Sequence, residues 1–305
     1  MFNVVLIPLS LALLYLGGEG TLKGVLAFAK KFNLSNILVS AVIIGFGTSL
    51  AELTVSIEAV LKGSPDIAIG NIIGSNTVNI LLVCSVAALI MPIALKNLKA
   101  TREIYVLALA SLLLLFFKYI DWLNILTGIL FLIILTIYII VSYRQDKKEV
   151  SEVETLPELS LLKASMYCVI GILLLLVGGW LLVTASIEIA KSYGVSEGVI
   201  GLTVVAVGTA IPELTTTIIA SIKKHNDLVI GNILGSNIFN ILGILGITLL
   251  IEPIPISEEM MNKGIWEMIA ATILFILILK FSKSLNRLHA LLMLSLYALY
   301  IFYLF

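Results

Sequence analysis

Residues 45–59 read GFGTSLAELTVSIEA, and residues 206–220 read AVGTAIPELTTTIIA. Each stretch is followed by a second motif, GNIIGSNTVN at 70–79 and GNILGSNIFN at 231–240. A single offset of 161, without a gap, relates both pairs. The same offset pairs Gly17 and Gly18 with Gly178 and Gly179, Lys30 with Lys191, and Pro92 with Pro253. The duplication therefore runs through nearly the whole chain. It implies a first repeat over 1–143, a short linker over 144–161 and a second repeat over 162–305.

Composition sets the solvent. Of 305 residues, 60% are hydrophobic and only 12% charged, with a mean hydropathy of +1.14. A soluble domain of this length cannot hide so much apolar surface, so the class is polytopic membrane protein. Long Leu/Ile/Val/Gly runs without ten-residue alternation favour helices over an outer-membrane barrel. Net charge is zero, which offers no basic face to nucleic acid. Cys84 and Cys168 both sit in apolar runs and read as inert buried thiols. The N-terminal apolar run lacks a preceding basic residue and a cleavage site, and reads as the first span.

Apolar runs predict ten spans, near 3–28, 36–61, 67–92, 103–119, 122–143, 162–189, 197–222, 228–251, 264–281 and 286–304. Loops after the odd-numbered spans carry fifteen of the nineteen Lys and Arg residues; Lys62, Lys118, Lys191 and Lys263 lie on the other side. The basic side is expected to be cytosolic, which leaves both termini extracytoplasmic in the cell membrane. Five spans per copy is an odd number, so the second copy enters the bilayer in the opposite sense. That is the inverted-repeat plan of secondary transporters, with the binding site at the midplane between the copies.

The chemistry concentrates in the two motifs. Thr48, Glu52 and Ser56 recur every four residues and share one helix face, with Ser49 beside it; Thr209, Glu213 and Thr217 match them. A charge at this depth is expensive, about 3 kcal/mol on insertion scales, so two matched acids argue for a purpose. No basic residue lies deep in any span to pair with them. Gly45, Gly47 and Gly208 precede the acids, and Pro212 removes a backbone donor. A broken helix is expected there, with freed carbonyls, including those of Thr48 and Thr209, lining an ion site. The following helix adds Asn71, Ser75 and Asn79, matched by Asn232, Ser236 and Asn240. Gly70 and Gly74, like Gly231 and Gly235, form a small-xxx-small pattern that lets helices approach closely. An oxygen-only donor set with two negative charges suits a hard cation such as Ca²⁺, or several Na⁺, and not a soft metal. Glu58 has Lys62 four residues on and reads as a salt bridge near the membrane edge, and Glu19 and Glu188 as interfacial acids. The acids within 149–158 read as a solvated linker.

GTSLAEL with GNIIGSNTVN, and GTAIPEL with GNILGSNIFN, resemble the two alpha-repeats of the cation/calcium exchanger superfamily. The likeness is greatest to compact prokaryotic sodium/calcium exchangers and covers essentially the whole chain. The resemblance implies an all-α membrane fold of ten helices in two inverted halves of five. It implies antiport of Na⁺ against Ca²⁺ by alternating access, in which the first and sixth spans move across a packed core. It places ion ligands at Glu52, Glu213, Thr48, Thr209, Ser49, Ser75, Ser236, Asn79 and Asn240. Three positions depart from the pattern. Ala51 stands for the usual proline and implies a shallower first break. Ala210 stands for the usual serine. Asn240 replaces the aspartate of some potassium-dependent relatives and argues against K⁺ co-transport. No enzyme activity, cofactor or protein partner is expected; the partners are the transported ions and the bilayer. Proton/calcium antiport on the same fold is the alternative reading, and a cation channel a more distant one.

Overall fold

The computed structural model describes residues 2–63, 65–96, 98–146, 159–192, 206–254 and 264–304. Most of the linker, the expected start of the seventh span at 197–205, and Lys263 lie outside the described residues. The fold is all-α apart from one short strand pair. In chain order the helices are α1 (Phe2–Phe32), α2 (Asn36–Thr48), α3 (Leu50–Leu61), α4 (Pro65–Ile90), α5 (Thr101–Tyr119), α6 (Ile125–Asp146), α7 (Leu161–Ser192), α8 (Ala206–Gly208), α9 (Ile211–Ile222), α10 (Asn226–Ile251), α11 (Trp266–Phe281) and α12 (Arg287–Leu304).

Five of these are long and apolar enough to cross a membrane: α1, α4, α6, α7 and α10. A sixth is the pair α2–α3, bent by 44° at its break. Of the span windows, α10 is 83% buried and α4 78%, whereas α6 and α7 are each 33% buried. The motif helices therefore form the interior. The outer helices turn side chains such as Ile133, Leu173 and Trp180 outward, as a hydrocarbon solvent permits.

Helices α1 and α7 pack along their length, and glycines set the distance. A Cβ on Gly24 would meet the Ala164 carbonyl at 2.8 Å, one on Gly17 the Gly171 carbonyl at 2.8 Å, and one on Gly178 the Ser10 carbonyl at 3.1 Å. As the number rises on one helix it falls on the other, so the two run antiparallel. Such close backbone approach is what drives helix association where water supplies no hydrophobic force.

The chain ends of the helices meet in two sets. Strand β1 (Ile93–Ala94), after α4, pairs antiparallel with β2 (Ser284–Leu285), after α11. Asp146 at the end of α6 bonds the Ser35 hydroxyl, which caps α2, and Arg102 in the first turn of α5 bridges Asp146 at 3.0 Å and the buried Glu103 at 2.7 Å. On the other set, Ile254 after α10 donates to the Leu123 carbonyl before α6 at 3.2 Å. Glu19, expected to be solvated at the interface, is instead ion-paired with Lys223 at 2.7 Å, joining α1 to the end of α9. Glu58 pairs with Lys62 at 2.5 Å, as its spacing predicts.

Candidate ion-binding site

Both motif helices break one turn before their acid. At Ser49 the backbone leaves helical geometry (φ −74°, ψ 9°), and Ala210 adopts nearly the same angles (−86°, 4°). The first break is a single residue, Ser49; the second is two, Thr209 and Ala210. Pro212 supplies the difference, because it has no N–H to return to the Gly208 carbonyl. Ala51 keeps its N–H, in line with the shallower first break that this residue implies. Glu52 and Glu213 then sit in the first turns of α3 and α9. Unpaired N–H groups at a helix start favour a carboxylate, so each break gives its buried acid a compensating partial charge.

Glycines bring other chain segments to these breaks. A Cβ on Gly45 would meet the Ser236 nitrogen at 2.7 Å, and one on Gly235 would run into the Ala41 backbone. Gly47 packs on Ile172 and Gly208 on Val183, both of α7. Gly74 has no described atom within 4 Å of its notional Cβ.

The amide helices hold the acid helices by their backbones. Asn71 Nδ2 donates to the Glu52 carbonyl at 3.0 Å and Ser56 Oγ at 2.9 Å. Asn232 Nδ2 reaches the Glu213 carbonyl at 3.4 Å, Thr216 Oγ1 at 3.1 Å and Thr217 Oγ1 at 2.8 Å. These asparagines therefore act as clamps. The next polar turns open into wider, π-helical turns at Asn79–Cys84 and Phe239–Ile244, a distortion often found where a helix carries function. Helix α3 packs on the 239–244 turn and α9 on the 79–84 turn, so each acid helix meets the asparagine turn of the other copy.

The copies also meet side chain to side chain. Ser49 Oγ donates to Glu213 Oε1 at 2.9 Å, across 164 residues of sequence. Glu52 lies within electrostatic reach of Glu213. Thr48, Ser49, Glu52, Glu213, Ser236, Asn79 and Asn240 are fully buried, and Ser75 is nearly so. Both carboxylate oxygens of Glu52, Oε2 of Glu213, and both amide ends of Asn79 and Asn240 have no hydrogen-bond partner among the described residues. Buried polar atoms ordinarily find partners, so these orphaned groups, oxygens for the most part, are the candidate ligands of the site. Ser236 Oγ instead donates to the Gly45 carbonyl at 3.2 Å. The Thr48 hydroxyl turns back to the Ile44 carbonyl at 2.9 Å, which leaves its own carbonyl as its candidate ligand atom. Thr209 is half-buried in the wall of a mostly apolar cavity of about 530 Å³ that also touches Ala51, Trp180 and Pro212. Among the described residues no three His, Cys, Asp or Glu are placed so that they could hold a metal ion together.

Two features were not read from the sequence. Ser49 has no counterpart by the 161 offset, where Ala210 stands, yet its side chain bonds the acid of the other copy. The π-helical turns carry no residue signature beyond the asparagine at or next to their start.

The model of the sodium/calcium exchanger protein family matches residues 2–144 and again 163–305. CaxA of Alkalimonas amylolytica, a putative antiporter by name, is 35% identical over 90% of this chain and 88% of its own. The sodium/calcium exchanger MaX1 of Methanosarcina acetivorans is 25% identical over 99% of this chain and 98% of its own. A solved structure of the sodium-calcium exchanger NCX_Mj, soaked with Na⁺ and Sr²⁺, superposes with a TM-score of 0.84 at 31% identity, covering 99% of this chain and 98% of that one. With both halves of the chain matched by one family model, this multi-pass membrane protein belongs to the sodium/calcium exchanger protein family.

Proposed function

We propose that the chain is a secondary antiporter that exchanges Na⁺ for Ca²⁺ by alternating access, with Glu52 and Glu213 holding the exchanged ions in one pocket. The observation that carries this reading is the Ser49–Glu213 bond between copies, set beside a Glu52 carboxylate with no hydrogen-bond partner among the described residues. The pocket offers oxygens alone, which fits the hard cations Ca²⁺ and Na⁺ as transported substrates. Thr48 and Thr209 contribute carbonyls, and Ser49, Ser75, Ser236, Asn79 and Asn240 contribute side-chain oxygens. One cage that either ion can fill, but not both at once, is a physical basis for exchange.

The reading includes ten spans in two inverted repeats, 1–143 and 162–305, joined by a cytosolic linker at 144–161. Two observations support it. Helices α1 and α7, equivalent by the 161 offset, run antiparallel. Loops that follow odd-numbered spans meet one another, as in the β1–β2 pair and the Ser35–Asp146–Arg102 cluster, while Ile254 and Leu123 join loops on the opposite side. The distribution of Lys and Arg favours the first set in the cytosol and both termini outside the cell membrane. In this scheme α1 and α7, packed glycine to backbone, shift together across the α4/α10 core to switch access.

The test is ⁴⁵Ca²⁺ uptake into Na⁺-loaded proteoliposomes. Uptake is expected to follow the outward Na⁺ gradient, to vanish when choline replaces internal Na⁺, and not to be restored by a pH gradient. Uptake driven by pH alone would move the assignment to proton/calcium antiport, and flux without a counter-ion would make the protein a channel.

A further inference from the structure

The 161 offset lets the two halves be compared contact by contact, and they differ where α1 and α7 meet the acid helices. Gly18 of α1 faces α9. A Cβ there would run into Ile219 Cδ1 and lie 3.5 Å from Thr215 Cγ2. The offset turns this contact into Gly179 of α7 against Thr54 and Glu58 of α3. Among the described residues that contact is not made: the three atoms nearest a Cβ on Gly179 belong to α9, at 3.6 to 3.9 Å. Instead the cavity of about 530 Å³ opens there, with Gly179 and Trp180 in one wall and Ala51, Thr54 and Val55 in the other. Helix α1 is thus shut on α9, while α7 stands off from α3. The shut side also carries an ion pair, Glu19 with Lys223 at 2.7 Å. The offset replaces Glu19 by Trp180, which has no charge, and Lys223 by Lys62, which Glu58 holds at 2.5 Å.

We propose that Glu19–Lys223 is a one-sided latch that holds α1 on α9 and biases the exchanger toward the form whose cavity lies between α7 and α3; the proposal rests on the alternating-access reading above. Exchanging the states of the two halves gives the opposite form, in which α7 closes on α3 and α1 leaves α9. The ion pair bridges the interface that parts. It must therefore break in every cycle, and the offset supplies no pair of opposite charges to form in its place. A contact present in one of two states shifts their ratio by its own free energy. The Glu19 and Lys223 side chains are 17% and 38% exposed, so the shift is that of a partly solvated pair, about twofold to fivefold. Both are positioning residues, since neither belongs to the candidate ion ligands. With Lys223 in a loop that follows an odd-numbered span, the latched side is the cytosolic one and the favoured form is open to the outside.

The experiment places a thiol at each of two mirrored positions of the full chain, Thr215→Cys facing α1 and Thr54→Cys in the cavity wall. Modification by a charged maleimide is followed in detergent, against the parent chain with its two buried cysteines. Neutralising the pair by Glu19→Gln or by Lys223→Gln is expected to speed labelling at Thr215→Cys by about twofold to fivefold, and not at Thr54→Cys. The reversed pair, Glu19→Lys with Lys223→Glu, should bring the rate back toward that of the unsubstituted pair. Unchanged labelling at Thr215→Cys, an equal rise at both positions, or no recovery in the reversed pair would overturn the latch. Na⁺-driven ⁴⁵Ca²⁺ uptake by the same variants keeps the two readings apart. Uptake with unresponsive labelling removes the latch and leaves exchange. Responsive labelling without Na⁺-driven uptake removes the exchange assignment and leaves the latch.

Discussion

The two copies of the motif differ least in their acids and most in what surrounds them. Around Glu52 the helix break is one residue wide, Ser49 supplies a hydroxyl, and Ala51 keeps its N–H. Around Glu213 the break is two residues wide, Ala210 has no hydroxyl, and Pro212 has no N–H. The hydroxyl of the first copy does not serve its own acid. It crosses to Glu213, which leaves both oxygens of Glu52 without a hydrogen-bond partner among the described residues. A duplicated sequence has thus produced two unequal acids, one that accepts a hydrogen bond from the other copy and one whose two oxygens accept none from the described side chains. Sequence symmetry decides where the charges lie; its small breaks decide which of the two buried acids receives the hydroxyl.

The comparison breaks first if either acid is dispensable. Glu52→Gln and Glu213→Gln are each expected to lower Na⁺-driven ⁴⁵Ca²⁺ uptake by about 100-fold or more, with the double substitution hardly worse, as for groups that act as one unit. Independent, multiplying losses would mean two separate sites. Next in size is the close packing that brings the copies together. Gly235→Ala would push a methyl into the Ala41 backbone. Overpacking of this kind costs about 1–3 kcal/mol and should lower the melting temperature in detergent by several degrees.

The inequality of the acids is sharpened by exchanging hydroxyls. Ser49→Ala removes a hydrogen bond to a charged group, worth about 1.5–3 kcal/mol, so Ca²⁺ affinity measured by uptake should change by at least tenfold. Ala210→Ser is expected to have a smaller effect, because it adds a hydroxyl and removes no existing bond. A smaller effect again is expected from the clamps. Asn232 has three acceptors in reach and Asn71 two. Each amide has only two N–H donors, so Asn232→Ala and Asn71→Ala should lower thermal stability by similar amounts, about 1 kcal/mol per hydrogen bond lost. Lys62→Ala, at an exposed ion pair, should leave both transport and melting temperature unchanged.

Much of this was legible in the chain because membrane burial makes polar residues conspicuous. Glu52 and Glu213 stand out at once, since a charge without a partner in an apolar run is costly to keep unless it binds something. Gly235 was legible as a close-approach point from its spacing with Gly231, whereas Gly45 was legible only as a residue before the expected break. Ser49 was legible as a residue but not in its role, because repeat symmetry argues from equivalence and Ala210 denies it an equivalent. Asn71 and Asn232 look the same in sequence as Asn79 and Asn240, eight residues on along the same helix face. Only the neighbouring helix separates a clamp, which finds a backbone carbonyl, from an asparagine with no hydrogen-bond partner among the described residues. The Arg102–Glu103–Asp146 cluster was hidden for another reason. Its members lie at loop edges, where charges are ordinary, and the fold alone joins them to Ser35.

The claim that one acid from each copy closes a single ion site is tested most directly by anomalous scattering from crystals soaked with Sr²⁺ as a Ca²⁺ surrogate. The account expects one strong buried peak within bonding distance of both the Glu52 and Glu213 carboxylates. Two separate peaks, each at one acid, or a peak that touches neither, would contradict it.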